Sequence, residues 1–213
     1  MEQPPVETTN EAEARLLESA LYFFAEKGYE GTSIREIIER AGVTRPVLYY
    51  YFHNKEDVFR RLVEPLFTEL VTAFGEIPQH FTDTLGRLKA VMRVAFATAE
   101  RNPRTIRLIL QMYFSPPQGG PEFDKAEFRR VRFRTVESIL QEGLDRAELA
   151  GGDARSLTLV FIGIMDAHVM AKSQMPGIHL TPELAEGLVD VFFYGTCFKE
   201  DPQTSLVSPF FYA

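Results

Sequence analysis

Between Ser33 and Lys55 four cations, Arg35, Arg40, Arg45 and Lys55, stand against two anions, Glu36 and Glu39. Four minus two leaves a local surplus of two positive charges inside a 213-residue chain whose formal net charge is −7. Such a surplus suits a polyanion, because lysine and arginine bound to phosphates release condensed counterions. The same stretch carries the hydroxyl of Thr44 and the aromatic run Tyr49-Tyr50-Tyr51. The chemistry on offer is recognition of double-stranded DNA.

Such side chains need rigid elements to aim them. Ser33-Ile34-Arg35-Glu36 has the form of a capping box and opens a helix that should end by Gly42. A second, short helix starts at Thr44, tolerates Pro46 in its first turn and ends near Phe52. Ile34, Ile37, Ile38, Val43 and Leu48 would pack between the two, leaving Thr44, Arg45, Val47, Tyr49, Tyr50 and Tyr51 outward. The pattern is a helix-turn-helix over about residues 33–52, with a surface helical hairpin as the plainer alternative.

Glycine and proline divide the remaining chain into helix-length pieces with no strand-like alternation, which predicts an all-α fold of about nine helices. Expected spans are 11–27, 33–42, 44–52, 54–74 with a kink at Pro65, 82–100, 103–114, 121–149, 153–174 and 181–198. The loop 115–120 and the tail 199–213 carry no helical pattern. The expected organisation is a DNA-binding domain over 10–70, a ligand-binding and dimerisation domain over 71–198, and the tail.

Thr32-Ser33-Ile34-Arg35-Glu36-Ile37, Ala41-Gly42-Val43-Thr44 and Leu48-Tyr49-Tyr50-Tyr51-Phe52 followed by Lys55 resemble the DNA-binding signature of the tetracycline-repressor (TetR) family. The resemblance covers about Glu11 to Glu64; the rest matches only in helix number and length. It departs at Tyr51, where histidine is usual, and at Pro46, where glycine is commoner. It implies phosphate contacts from Thr32 or Ser33 and from Tyr49, Tyr51 and Lys55. Base edges would fall to Arg45, Val47 and Tyr50, with Arg35 able to serve either purpose. For Tyr49 a core position is an equal alternative.

The resemblance also implies a homodimer, a small-molecule effector and, by default, repression of a pseudo-palindromic operator. Helix 153–174 is apolar on two faces, Leu157, Phe161, Ile164 and His168 on one and Leu159, Ile162, Val169 and Met170 on the other. A helix with two apolar faces must be covered twice, which suggests a partner subunit completing an interface with helix 181–198. Effector-pocket candidates are Phe67, Phe96, Met112, Tyr113, Arg129, Arg132, Met165 and His168, where aromatic and methionine side chains suit a largely apolar ligand. On a helical wheel Arg129 and Arg132 share the side of Val136, Ile139 and Leu140, whereas Arg130 and Arg134 point away. An inward arginine needs an anion, either an acid such as Asp166 or Glu137 or an acidic group on the ligand.

Catalysis and metal binding find no support. His53, His80, His168 and His179 are scattered, without a nucleophile elbow or phosphate-binding glycine loop. Cys197 stands alone, which argues against a disulfide or zinc site and suits a buried, inert thiol in a reducing cytoplasm. No cofactor is expected. Residues 1–10 have no apolar run, and Leu157–Met165 is about half the ~18 residues of a membrane span, so neither export nor membrane insertion is expected. Alternatives are an activator, an effector-independent regulator of the same fold, and a helical protein-interaction module.

Overall fold

The computed structural model describes residues 9–114, 125–175 and 177–197. Within them lie nine α-helices and no strand. The expected loop 115–120, the tail 199–213 and the first residues of the helix expected from 121 lie outside the described residues, as do the side chains of Met112, Tyr113 and Cys197.

Helix α1 (Thr9–Lys27) buries a stripe of Ala12, Leu16, Ala20 and Phe24, spaced so that all face one side. It stops at Gly28, whose left-handed φ of 75° lets its N–H reach the Phe24 carbonyl at 3.0 Å. Helix α2 (Ile34–Ala41) opens with the capping box: the Glu36 N–H donates to Ser33 Oγ at 3.2 Å, and the Ser33 N–H donates to Glu36 Oε2 at 2.9 Å. It closes at Gly42, φ 64°, so the reversal before the next helix needs no strained side chain. Helix α3 (Arg45–Tyr51) follows Thr44 and carries Pro46 in its first turn, where no backbone donor is lost.

Helix α4 (Lys55–His80) begins at Asn54, whose Oδ1 accepts the Asp57 N–H at 2.8 Å. It runs past Gly75 rather than ending at 74, because Phe74 and Ile77 both bury against the core and packing outweighs the glycine. Its first half closes the N-terminal unit, where Phe24, Tyr29 and Phe59 meet with ring centroids 5.5–5.8 Å apart. Its second half belongs to the larger bundle.

That bundle is built on α5 (Thr84–Arg101), which packs on α4, α6 (Pro103–Phe114), α7 (Lys125–Asp145), α8 (Ala154–Gln174) and α9 (Pro182–Cys197). Leu88, Val91, Met92 and Phe96 fill its centre, each worth about 1.5–3 kcal/mol of transfer free energy. Buried Arg87 is satisfied by Glu142 at 2.6 Å and the Phe81 carbonyl at 2.9 Å. Lys89–Asp190 at 2.6 Å and Arg93–Glu186 at 2.9 Å fix α9 along α5.

Helix α8 buries Ala154, Leu157, Thr158, Phe161 and Met165 and leaves Leu159 and Val160 exposed, at 60% and 54%. On α9, Val191 and Tyr194 are likewise open, at 74% and 56%. The two faces of α8 differ from those expected: the buried stripe passes through Met165 rather than the half-buried Ile164 and His168, and the open face is Leu159 with Val160, whereas Ile162, Val169 and Met170 are half-buried within the same chain. Taken whole, α8 is long and apolar enough to cross a membrane by length and composition, a property that core helices of soluble proteins share.

Candidate DNA interface and ligand cavity

Helix α3 hangs on one fully buried side chain, Leu48, and on Phe52 just beyond it. Much of the rest of its surface is open. Arg45, Tyr49 and Tyr50 are exposed, the tyrosines at 45% and 75%, which removes the core alternative for Tyr49. Val47 and Tyr51 are half-buried, and Tyr51 stands edge-on to Tyr50 with centroids 4.9 Å apart.

The cations of this region differ in what holds them. Arg35 donates to Glu39 at 2.6 Å, and that bond raises its pKa. Arg40 lies over the Tyr22 ring at 3.9 Å. Arg45 makes no ion pair among the described residues and leans 5.7 Å above Tyr49, leaving its donors available. An exposed guanidinium at the start of a short exposed helix is the geometry for reading a base edge.

Two expected phosphate contacts look different in three dimensions. Thr32 is buried, at 2% exposure, and its hydroxyl donates to the Gly28 carbonyl at 2.9 Å, so it closes the turn after α1. Ser33 remains exposed at the head of α2. Lys55 points back into the protein: its Nζ donates to the carbonyls of Tyr29 at 2.9 Å and Thr32 at 3.1 Å and lies 4.2 Å from the centre of the Tyr29 ring. Sequence reasoning missed this stitch, and no local signal could have shown it, since the partners are backbone atoms 23 and 26 residues away. It also missed Lys27, whose ammonium binds Glu36. With the Ser33 cap, Lys27 holds the Glu36 carboxyl down to about 2.

In the larger bundle a cavity of about 290 Å³ opens between α4, α5, α6, α7 and α8. Phe67, Leu70 and Phe74 of α4 form one wall, Ile106, Ile109 and Leu110 of α6 another, and Met165, Val169 and Met170 of α8 a third. Of the expected pocket residues, Phe67, Arg129, Arg132 and Met165 line it. Phe96 and His168 do not: Phe96 is core, 6.1 Å from the His168 ring, and His168 Nδ1 is held by the Ile164 carbonyl at 2.7 Å. The inward pair of arginines is half right. Arg132 turns inward and binds Asp166 with two hydrogen bonds of 2.6 and 2.9 Å. Arg129 is exposed at the cavity's edge.

Helix α6 joins the two regions. One face lines the cavity, while Arg107 reaches Glu26 at 3.3 Å and Gln111 Nε2 donates to the Ala25 carbonyl at 3.1 Å, both at the end of α1.

A short exposed helix presented by a glycine corner has the geometry of a helix-turn-helix DNA-binding domain, here joined to a helical bundle with an internal cavity. Residues 16–62 match the model of bacterial regulatory proteins of the tetR family. The transcriptional activator FasR of Mycolicibacterium smegmatis is 31% identical over 110 residues, 51% of this chain and 50% of that protein, so the match spans half of FasR's length. Among solved structures, the ketosteroid regulator KstR2 of Mycobacterium tuberculosis superposes with a TM-score of 0.73 at 20% identity, covering 88% of this chain and 95% of that one. FadR of Bacillus subtilis, in complex with stearoyl-CoA, does so with a TM-score of 0.69 at 20% identity, covering 85% and 98%. Residues 16–62 of this chain are thus similar to the DNA-binding domain of bacterial regulatory proteins of the tetR family.

Proposed function

We propose that the protein acts in the cytoplasm as a homodimeric repressor, released from a pseudo-palindromic operator by a largely apolar effector with an acidic group. The observation that carries the reading is α3, with Arg45 free of any ion pair among the described residues and Tyr50 three-quarters exposed. Arg45, Val47 and Tyr50 face base edges, and Ser33, Tyr49 and Tyr51 track the phosphates. Arg35, Thr44 and the third Lys55 proton add to the backbone contacts, while Thr32 contributes through the turn it closes.

The exposed apolar faces of α8 and α9 support a two-fold four-helix interface, with Leu159, Val160, Val191 and Tyr194 meeting their counterparts. That cover also gives α8's apolar outer face an occupant other than lipid. The division between DNA-binding and effector domains, placed near residue 70, falls inside α4, so one rigid helix carries Lys55 at one end and Phe67, Leu70 and Phe74 of the cavity further on. An effector that spreads α4 from α6 would move α1 through Glu26 and Ala25 and change the spacing of the two α3 helices. By linkage, an effector that weakens operator binding tenfold binds tenfold more weakly to the operator complex, a coupling of about 1.4 kcal/mol.

An activator remains a second reading because FasR is described as one. No catalytic role is proposed: relatives are regulators, and His168 is tied to a carbonyl of its own helix. Selection from a random duplex library tests the proposal. Enrichment of a two-fold sequence with half-sites about 34–36 Å apart is expected. Recovery of unrelated sequences would refute it, and a reporter behind the selected site separates repression from activation.

A further inference from the structure

Arg45 is the first residue of α3, and Tyr49 stands one helical turn further on. Side chains on a helix lean towards its N-terminus, so residues four apart meet on one face and the later one covers the turn before it. The Tyr49 ring accordingly reaches back to the Arg45 guanidinium, whose carbon lies 5.7 Å from the ring centre. Buried Leu48 and Phe52 fix the roll of α3, and Arg45 and Tyr49 both stay exposed, the tyrosine at 45%. The pair therefore stands on the surface that a duplex would meet.

The kind of neighbour matters. Lys27, Arg35 and Lys55 are held by oxygen acceptors: Lys27 by Glu36, Arg35 by Glu39 at 2.6 Å, and Lys55 by the carbonyls of Tyr29 and Thr32. Each of those contacts takes up donors that a phosphate or a base would need. An aromatic face attracts a guanidinium through its quadrupole and leaves the N–H groups to bond elsewhere. Arg45, which makes no ion pair among the described residues, is thus held without its donors being spent. A long side chain that samples many rotamers loses that freedom when it docks. The ring removes part of that loss before DNA arrives, by keeping the guanidinium on the side of α3 that Tyr49 occupies.

We infer that Tyr49 is a positioning residue for base readout: its ring holds Arg45 in the pose that bonds a guanine edge, a role separate from the phosphate contact of its hydroxyl. The role rests on the reading of Arg45 as a base reader. Fluorescence anisotropy of the full-length protein on the duplex enriched from a random library, and on its scrambled counterpart, tests it. Tyr49→Phe keeps the ring and removes the hydroxyl, so it should weaken both duplexes alike and hold the operator-to-scrambled affinity ratio. Tyr49→Leu removes the ring and should lower that ratio about two- to fivefold, the share of the Arg45 pose that an exposed cation–π contact controls. In an Arg45→Ala background the same leucine substitution should leave the ratio where Arg45→Ala alone put it. A ratio that falls as far in Tyr49→Phe as in Tyr49→Leu would assign the effect to the hydroxyl. A fall of the same size with and without Arg45 would make Tyr49 a reader in its own right. Either result, or an unchanged ratio in Tyr49→Leu, would overturn the positioning role and leave Arg45 as the base reader. An unchanged ratio in Arg45→Ala would overturn both.

Discussion

Replacing Lys55 by methionine keeps the aliphatic stem and removes the ammonium that ties the start of α4 to the turn between α1 and α2. Two hydrogen bonds are lost, to the carbonyls of Tyr29 at 2.9 Å and Thr32 at 3.1 Å, together with the contact to the Tyr29 ring at 4.2 Å. Hydrogen bonds to a charged donor are worth about 1.5–3 kcal/mol each and an exposed cation–π contact about 0.5–1. The lower ends of these ranges sum to about 3.5 kcal/mol, and because water reaches this half-buried lysine and can rehydrate the freed carbonyls the expected loss is below that sum, at about 2–3 kcal/mol. At ~2–4 °C per kcal/mol for a chain of this size, the melting temperature should fall by roughly 4–12 °C. Thermal unfolding at fixed protein concentration, followed by salt titration of DNA binding at a temperature where the variant is folded, makes the measurement. An unchanged melting temperature with a salt slope reduced by about one unit would mean that Lys55 is a phosphate clamp, and the stitch between α1 and α4 would be unimportant.

Arg45→Ala should bring the affinities for operator and scrambled duplex closer by about 1–3 kcal/mol, and equal losses on both would remove Arg45 from base reading. Glu36 should shape the acid limb of stability. Its carboxyl is held at about 2 against an ordinary 4.5, so it stabilises the fold above pH 4.5 and that contribution is lost as pH falls towards 2. Glu36→Gln should therefore narrow its deficit relative to the parent protein across that window, and a constant deficit would contradict the assignment. Leu159→Glu with Val191→Glu should give a monomer in sedimentation at micromolar concentration, and an unchanged dimer would move the interface away from α8 and α9.

What could be read from the chain beforehand was local. The Ser33–Glu36 box, Gly42 and Pro46 state where α2 and α3 begin and end, because capping chemistry acts over three or four residues. The same spacing placed Thr44, Arg45, Tyr49 and Tyr50 outward as they stand, whereas Val47 and Tyr51, expected with them, are half-buried. Contacts across the fold were not legible. A helical wheel turned Arg129 and Arg132 the same way, yet only Arg132 has Asp166 of α8 opposite it. Thr32 and Lys55 have residue types that suit phosphate, and both are drawn inward by carbonyls that only the folded turn brings near. The expected end of α4 at residue 74 likewise lacked the contact that carries the helix on, the burial of Ile77 in the core.

Binding of the selected operator and of a scrambled duplex, followed by fluorescence anisotropy from low to high salt, tests the central claim most directly. The account predicts that log K falls linearly with log salt for both duplexes, steeply enough to register several phosphate contacts at about 0.9 per contact, with the operator bound at least a thousandfold more tightly at physiological salt. Binding to both duplexes with equal affinity, or no salt-dependent binding to either, would contradict it.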